Sequence, residues 1–73
     1  MTAAEALRLG LEAGPSDETR EAACGHPWAA LYYARSVDRG PSDATRSAAC
    51  RDPWAATYYA RDVDLGQRST DRA

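Results

Sequence analysis

The chain has 73 residues and a net charge of −2, and half of its 44% hydrophobic content is alanine. It contains nine arginines and no lysine, and this balance argues against general binding to nucleic-acid backbones, which requires an electropositive surface. A domain of this size buries only about 60% of its unfolded surface. Because large aliphatic residues are also few, we expect stabilisation by oligomerisation or by a partner.

No apolar run approaches the ~20 residues that span a membrane, and no segment is typical of a signal peptide. We therefore expect a cytoplasmic protein without a membrane partner. In that reducing setting the two cysteines, Cys24 and Cys50, are expected to be free thiols.

The first predicted element is a helix over residues 3–13. Thr2 and Glu5 fit the capping-box pattern, in which each side chain accepts a hydrogen bond from a free backbone amide at the helix start. Gly14 then stands where a helix end favours a left-handed residue. Gly10 weakens the helix interior by roughly 1 kcal/mol relative to alanine.

Two copies of one block follow this helix. Residues 14–39 and 40–65 agree at 19 of 26 positions, and self-similarity at a period of about 20 to 50 residues is typical of repeat architectures. In each copy a serine N-cap with an acidic first turn predicts one helix, and a proline at the first helical position predicts a second. The predicted helices cover residues 16–24, 27–39, 42–51 and 53–65.

The predicted fold is all-α, with five short helices stacked as an αα-repeat solenoid of 26-residue period. The helical repeat domain spans residues 1–66. It comprises an N-terminal cap helix over residues 1–13, repeat 1 over residues 14–39 and repeat 2 over residues 40–65. Residues 67–73 lack large apolar side chains and are expected to form a flexible tail.

The helix faces predict how these repeats stack. Helix 27–39 carries one buried stripe with the i, i+3, i+4, i+7 spacing, formed by Ala30, Tyr33, Ala34 and Val37. A second stripe on roughly the opposite side consists of Trp28, Tyr32 and Arg35. The small inward residues of helix 16–24 are Thr19, Ala22 and Ala23. Two such faces let each second helix cover its own partner helix on one side and the next repeat on the other.

The chain resembles short helix-turn-helix repeat proteins of the Sel1-like and tetratricopeptide type. The resemblance rests on the Ala-Ala pairs at 22–23 and 48–49, the Tyr-Tyr-Ala runs at 32–34 and 58–60, and the helix-breaking Pro27 and Pro53. It covers residues 3–65 and implies a protein-interaction scaffold. It implies no particular site residues.

The two ends of the stack are the predicted oligomer interface. The last helix has no following repeat, so Trp54, Tyr58 and Leu65 are expected to stay uncovered. The first helix has no preceding unit, so Leu7 and Leu11 are expected to face outward. Exposed apolar patches of this kind commonly mark interfaces.

The paired Trp, Tyr and Arg residues are the candidate binding site. These residue types are enriched at binding hot spots, since rigid aromatic rings bury a large area at small entropic cost. Two interpretations stay open: a groove for a peptide or nucleotide-like ligand, or packing between repeats with each arginine stacked on a ring. The candidates are Trp28, Tyr32 and Arg35 in the first copy, and Trp54, Tyr58, Arg61 and Leu65 in the second.

The sequence gives little support for a catalytic site or a metal site. Cys24 and Cys50 could form a redox pair or ligate a metal, but one histidine and no Cys-x-x-Cys motif favour a packing role. His26 precedes a proline, as Asp52 does in the second copy, which favours a helix-cap role. No Ser-His-Asp set, carboxylate dyad or phosphate loop can be assembled. We therefore predict no enzyme, no metal and no cofactor.

The acidic residues near the ends of the second helices, Asp38 and Asp64, are unfavourable to the helix dipole there. Salt bridges with Arg20 and Arg46, or caps for the following turn, would explain them.

The predicted function is therefore binding, as a protein-interaction or adaptor module that engages a partner protein or self-associates through its aromatic open end. The alternative is a protein that binds or sequesters a small, nucleotide-like molecule. A small-ligand site should place Arg35 or Arg61 in a cavity, whereas a protein interface should leave the Trp54 face flat and open.

Overall fold

The computed structural model describes residues 1–65 apart from the side chain of Leu65, and the predicted tail at residues 67–73 lies outside this range. Within residues 1–65 the protein is all helical, with five helices and no strand, as predicted. The helices are α1 (Ala3–Ala13), α2 (Asp17–Ala23), α3 (Pro27–Tyr32), α4 (Asp43–Ala49) and α5 (Pro53–Tyr58). Helices α3 and α5 continue directly into π-helical segments, Tyr33–Asp38 and Tyr59–Leu65.

The helix starts are built by the predicted caps. At α1 the Thr2 hydroxyl accepts the Glu5 N–H at 3.1 Å, and the Glu5 carboxylate accepts the Thr2 N–H at 3.3 Å. The hydrogen bond from the Thr2 backbone lowers the pKa of Glu5 below its ordinary value. The predicted cap role of His26 is confirmed, because its Nδ1 accepts the Trp28 N–H at 3.2 Å. Asp52 makes one more capping bond at α5, where one of its carboxylate oxygens accepts hydrogen bonds from two backbone amides.

The helix ends follow the sequence less closely. Gly14 ends α1 with a φ of 93°, a backbone conformation that favours glycine. After α3 the left-handed residue is Arg39, with a φ of 57°, a conformation uncommon for a residue other than glycine. The reason lies in the π-helical turn, since the amides of Arg39 and Gly40 both donate to the carbonyl of Ala34.

The helices pack in a repeating order. Helix α1 contacts both α2 and α3, and α3 contacts both α4 and α5 in the same way. The predicted buried stripe of α3 and its π-helical extension is confirmed, with all four residues buried: Ala30, Tyr33, Ala34 and Val37. Within residues 1–65, helix α3 is thus covered on two sides, whereas α5 is covered on one.

A buried tyrosine ties the two helices of each copy together. The Tyr33 hydroxyl lies 2.6 Å from the Thr19 hydroxyl and accepts the Ser16 N–H at 3.0 Å. The second copy repeats these bonds between Tyr59 and Thr45, at 2.8 Å, and from the Ser42 N–H, at 3.1 Å. Each hydroxyl therefore meets a partner in the core, where an unpaired polar group would be costly.

In each copy an ion pair joins the first helix to the π-helical segment that follows the second helix. Arg20 donates two hydrogen bonds to the Asp38 carboxylate, at 2.7 and 2.8 Å, and Arg46 donates one to Asp64 at 2.9 Å. The predicted pairing of these residues is confirmed. The hydrogen bond to Asp38 raises the pKa of Arg20 above its ordinary value.

Gly10 permits the close approach of α1 to α3. A Cβ atom at this position would lie 2.9 Å from Cε2 of Tyr33 and 3.0 Å from a methyl group of Val37. The glycine that weakens the isolated helix is therefore a packing residue in the fold. No helix within residues 1–65 has the length and apolarity needed to cross a membrane.

Candidate interaction surface

The outer side of α5 carries an exposed aromatic surface, which we call the open aromatic face and define by Trp54, Tyr58 and Arg61. Trp54 is 68% exposed and Tyr58 is 36% exposed. The Arg61 guanidinium lies 5.6 Å from the centre of the Tyr58 ring, within the range of a cation–π contact. The expectation that the Trp54 side of α5 stays open agrees with these exposures, whereas the Leu65 side chain lies outside the described part of the chain.

In the first copy of the same motif the tryptophan is partly covered. Trp28 is half-buried and packs against a core cluster that includes Leu31, Ala55 and Tyr59. Its ring centre lies 5.8 Å from that of Tyr58. Tyr32, by contrast, is 38% exposed, much as Tyr58 is. The two tryptophans therefore meet different surroundings, because α5 follows α3 but no helix within residues 1–65 packs on the outer side of α5.

A groove of about 300 Å³ lies between the second helices of the two copies. Its lining consists of Trp28, Leu31, Tyr32, Arg35, Tyr58 and Asp62. Arg35 stacks on the Tyr32 ring at 5.2 Å and donates to the Asp62 carboxylate at 3.1 Å. Among the described residues that line the groove, the one cation is therefore already paired with a carboxylate.

A second, apolar depression of about 360 Å³ opens at the other end of the molecule, and we call it the N-terminal hollow. Its lining consists of Ala3, Ala4, Leu7, His26, Ala29 and Tyr32. Sequence reasoning missed this feature. A signal did exist, because aligning the N-caps of α1 and α3 places Ala4 where α3 carries Trp28.

The prediction for Leu7 needs correction. Leu7 does not face outward but is partly buried and packs against the core cluster of Ala6, Ala23, Tyr33 and Val37. The reason is that α1 lies over α2 and α3 with the side that carries Ala6, Leu7 and Gly10. Leu11 is 58% exposed, in agreement with the expected outward position.

The cysteines differ from each other. Cys24 is half-buried, and burial raises the pKa of its thiol, whereas Cys50 is exposed, so the expected packing role does not hold for Cys50. Both are free thiols in this structure. Among residues 1–65 no group of three or more His, Cys, Asp or Glu side chains is placed to hold a metal ion.

Comparison with protein-family models, with curated proteins and with solved structures finds no match for this chain. The surface features that bear on function are therefore the open aromatic face, the groove and the N-terminal hollow.

Proposed function

We propose that the protein is a non-enzymatic interaction module that binds a partner protein, or another copy of itself, through the open aromatic face. One observation carries this proposal. The tryptophan that is half-buried between repeats in the first copy, Trp28, recurs as Trp54 with 68% of its side chain exposed. The side of α3 that carries Trp28 binds the next pair of helices, whereas within residues 1–65 no helix packs on the corresponding Trp54 side of α5.

The chemistry of this face suits a protein partner. Trp, Tyr and Arg dominate binding hot spots, and an aromatic side chain buries about 150–250 Å². The Arg61 guanidinium above Tyr58 adds a charged group that can pair with a carboxylate on the partner. The face differs from its copy on α3 at one central position, since the exposed Thr57 replaces the buried Leu31. It is therefore less apolar than a core surface, as expected for a surface that also meets water.

The groove between α3 and α5 gives weaker support to the alternative of small-molecule binding. Arg35 reaches this groove, as the small-ligand alternative required. Its charge is neutralised by Asp62, so an anionic ligand would have to displace an existing ion pair. The exposed Trp54 side matches the requirement stated for a protein interface, and we favour that function.

The test compares co-purification from native lysate for the wild type and for Trp54→Ala and Tyr58→Ala. Trp54 is 68% exposed, so its removal should leave the helical circular dichroism spectrum unchanged; Tyr58 also contacts Trp28, so the spectrum of Tyr58→Ala serves to check that this variant folds. Leu9→Ala is the matched control, because Leu9 is 40% exposed and lies on α1, away from the face. We expect specific proteins, or the tagged protein's own untagged copy, to be lost in the two α5 variants and retained in the control. An unchanged set in all variants would refute the proposal.

A further inference from the structure

The N-terminal hollow exists because α1 lacks the tryptophan that α3 and α5 carry. The N-caps Thr2, His26 and Asp52 begin three equivalent helices. The second residue after each cap is Ala4 in α1, Trp28 in α3 and Trp54 in α5.

The contact between α3 and α5 shows what an indole does at this place. There Trp28 lies against Tyr58 and packs on the cluster that contains Ala55, which is 0% exposed. Between α1 and α3, Ala4 is too short to reach across, and Ala29, the counterpart of Ala55, stays only partly buried. The missing ring leaves the hollow of about 360 Å³.

The lining of the hollow reproduces the surroundings of Trp28. Leu7 corresponds to Leu31, and Tyr32 corresponds to Tyr58. A dry cavity of about 150 Å³ already binds benzene, so a hollow of about 360 Å³ has room for an indole ring. The hollow therefore has the size and the apolar walls that a tryptophan side chain needs.

We propose that the N-terminal hollow binds Trp54 of a second copy, an inference that rests on the proposed function of the open aromatic face. The chain has two tryptophans, and Trp54 is the exposed one. Tyr58 and Arg61 follow Trp54 at the same spacing at which Tyr32 and Arg35 follow Trp28. The side chain next to the hollow would therefore have the same neighbours as the tryptophan that packs between α3 and α5.

Acidic side chains lie near the acceptor. Glu18 and Glu21 line a separate depression together with Met1, next to the first turn of α1. The α5 end carries Arg51 and Arg61 together with Asp52, Asp62 and Asp64, so it is not basic as a whole. A favourable charge contact would therefore be local, between Arg61 beside Trp54 and these glutamates.

The contact joins two different surfaces, so it is heterologous. Donor and acceptor lie at opposite ends of the helix order, and such a contact builds an open chain of molecules, or a ring if the rotation closes. The two halves of the contact can therefore be disabled separately, in different molecules.

The experiment is sedimentation velocity of two variants, alone and mixed. Ala4→Trp fills the hollow from within and keeps Trp54, whereas Trp54→Ala keeps the hollow and removes the donor. We expect the wild type to gain mass with concentration, and each variant alone to associate at least about 30-fold more weakly. An equimolar mixture should form a complex of twice the monomer mass, because Trp54 of the first variant meets the open hollow of the second.

Two further variants keep the test decisive. Leu9→Trp adds a tryptophan on the opposite side of α1 and should leave association unchanged. If circular dichroism shows that Ala4→Trp does not fold, Ala4→Leu replaces it in the test. Leucine fills the hollow less completely than tryptophan and should still weaken association.

The outcomes separate the two proposals. Association lost in Trp54→Ala but intact in Ala4→Trp and Ala4→Leu would overturn the hollow as acceptor and leave the open aromatic face as an interface. Association unaffected by every variant would overturn both as routes to self-association. A wild type that stays monomeric at high micromolar concentration would overturn this inference, while partner binding is judged by co-purification.

Discussion

The hydroxyl of Tyr33 should contribute measurably to stability, and its removal tests the packing of the first copy. Tyr33 is fully buried, and its hydroxyl bonds to Thr19 and to the Ser16 amide. Tyr33→Phe keeps the ring and removes these bonds, while the Thr19 hydroxyl keeps the Ser16 hydroxyl as a partner at 2.8 Å. The expected loss is that of a buried hydrogen bond, about 1 kcal/mol, which lowers the melting temperature of a domain of this size by roughly 4–8 °C.

The neighbouring tyrosine provides the control. Tyr32→Phe removes the same atom from a side chain that is 38% exposed, where water can replace the lost bonds. We expect a change below about 0.5 kcal/mol for this variant. Thermal and urea unfolding, followed by far-ultraviolet circular dichroism, measure both free energies.

A double variant identifies the cause. Tyr33→Phe combined with Thr19→Val removes both hydroxyls of the 2.6 Å contact, so it should cost less than the sum of the single variants. Equal effects of Tyr33→Phe and Tyr32→Phe, or additive effects in the double variant, would refute the reasoning.

Three other predictions concern the thiols, the ion pairs and the first helix. Cys50 should react with iodoacetamide faster than Cys24, whose thiol is half-buried with a raised pKa; equal rates by mass spectrometry would contradict this. Asp38→Asn should cost about 1–2 kcal/mol in urea unfolding and Asp64→Asn less than about 1, because Arg20 holds Asp38 with two hydrogen bonds in a more buried site. The lowered pKa of Glu5 contributes stability that is present above its ordinary value of 4.5 and is lost as the pH falls through the folded value. The melting-temperature gap between wild type and Glu5→Gln should therefore close on acidification, and a constant gap would contradict this.

Much of the fold follows from the sequence because the local signals agree. The capping residues Thr2 and Asp52 and the prolines at the first helical positions define where helices begin. The spacing of Tyr33 and Val37 defines the buried side of α3 and its extension. These are short-range rules of backbone satisfaction and helix geometry, which depend little on the rest of the chain.

Contacts between helices were less predictable. Leu7 was expected to face outward because the repeat pattern alone does not say which side of α1 covers α2 and α3. Gly10 looked like a weakness, since the close approach of Tyr33 that requires it is a tertiary contact. The π-helical segments carry no evident sequence signal, and the first of them ends on Arg39 in a left-handed conformation.

The candidate site was predictable in part. Trp54 was correctly expected to be exposed, and within residues 1–65 no helix packs on its side of α5. The N-terminal hollow required a comparison of α1 with α3 that depends on the exact start of α1. A helix boundary uncertain by two to four residues would hide the match between Ala4 and Trp28.

The most direct test of the central claim is the accessibility of Trp54 in solution. In Trp28→Phe, Trp54 is the single tryptophan, and its fluorescence reports on the open aromatic face alone. The account predicts ready quenching by acrylamide when the protein is dilute, with weaker quenching and a blue-shifted emission as concentration rises or a partner is added. The reciprocal Trp54→Phe variant should show the weaker quenching of the half-buried Trp28 at all concentrations. A Trp54 that is shielded in the dilute monomer, or that stays equally quenched under every condition, would contradict the account.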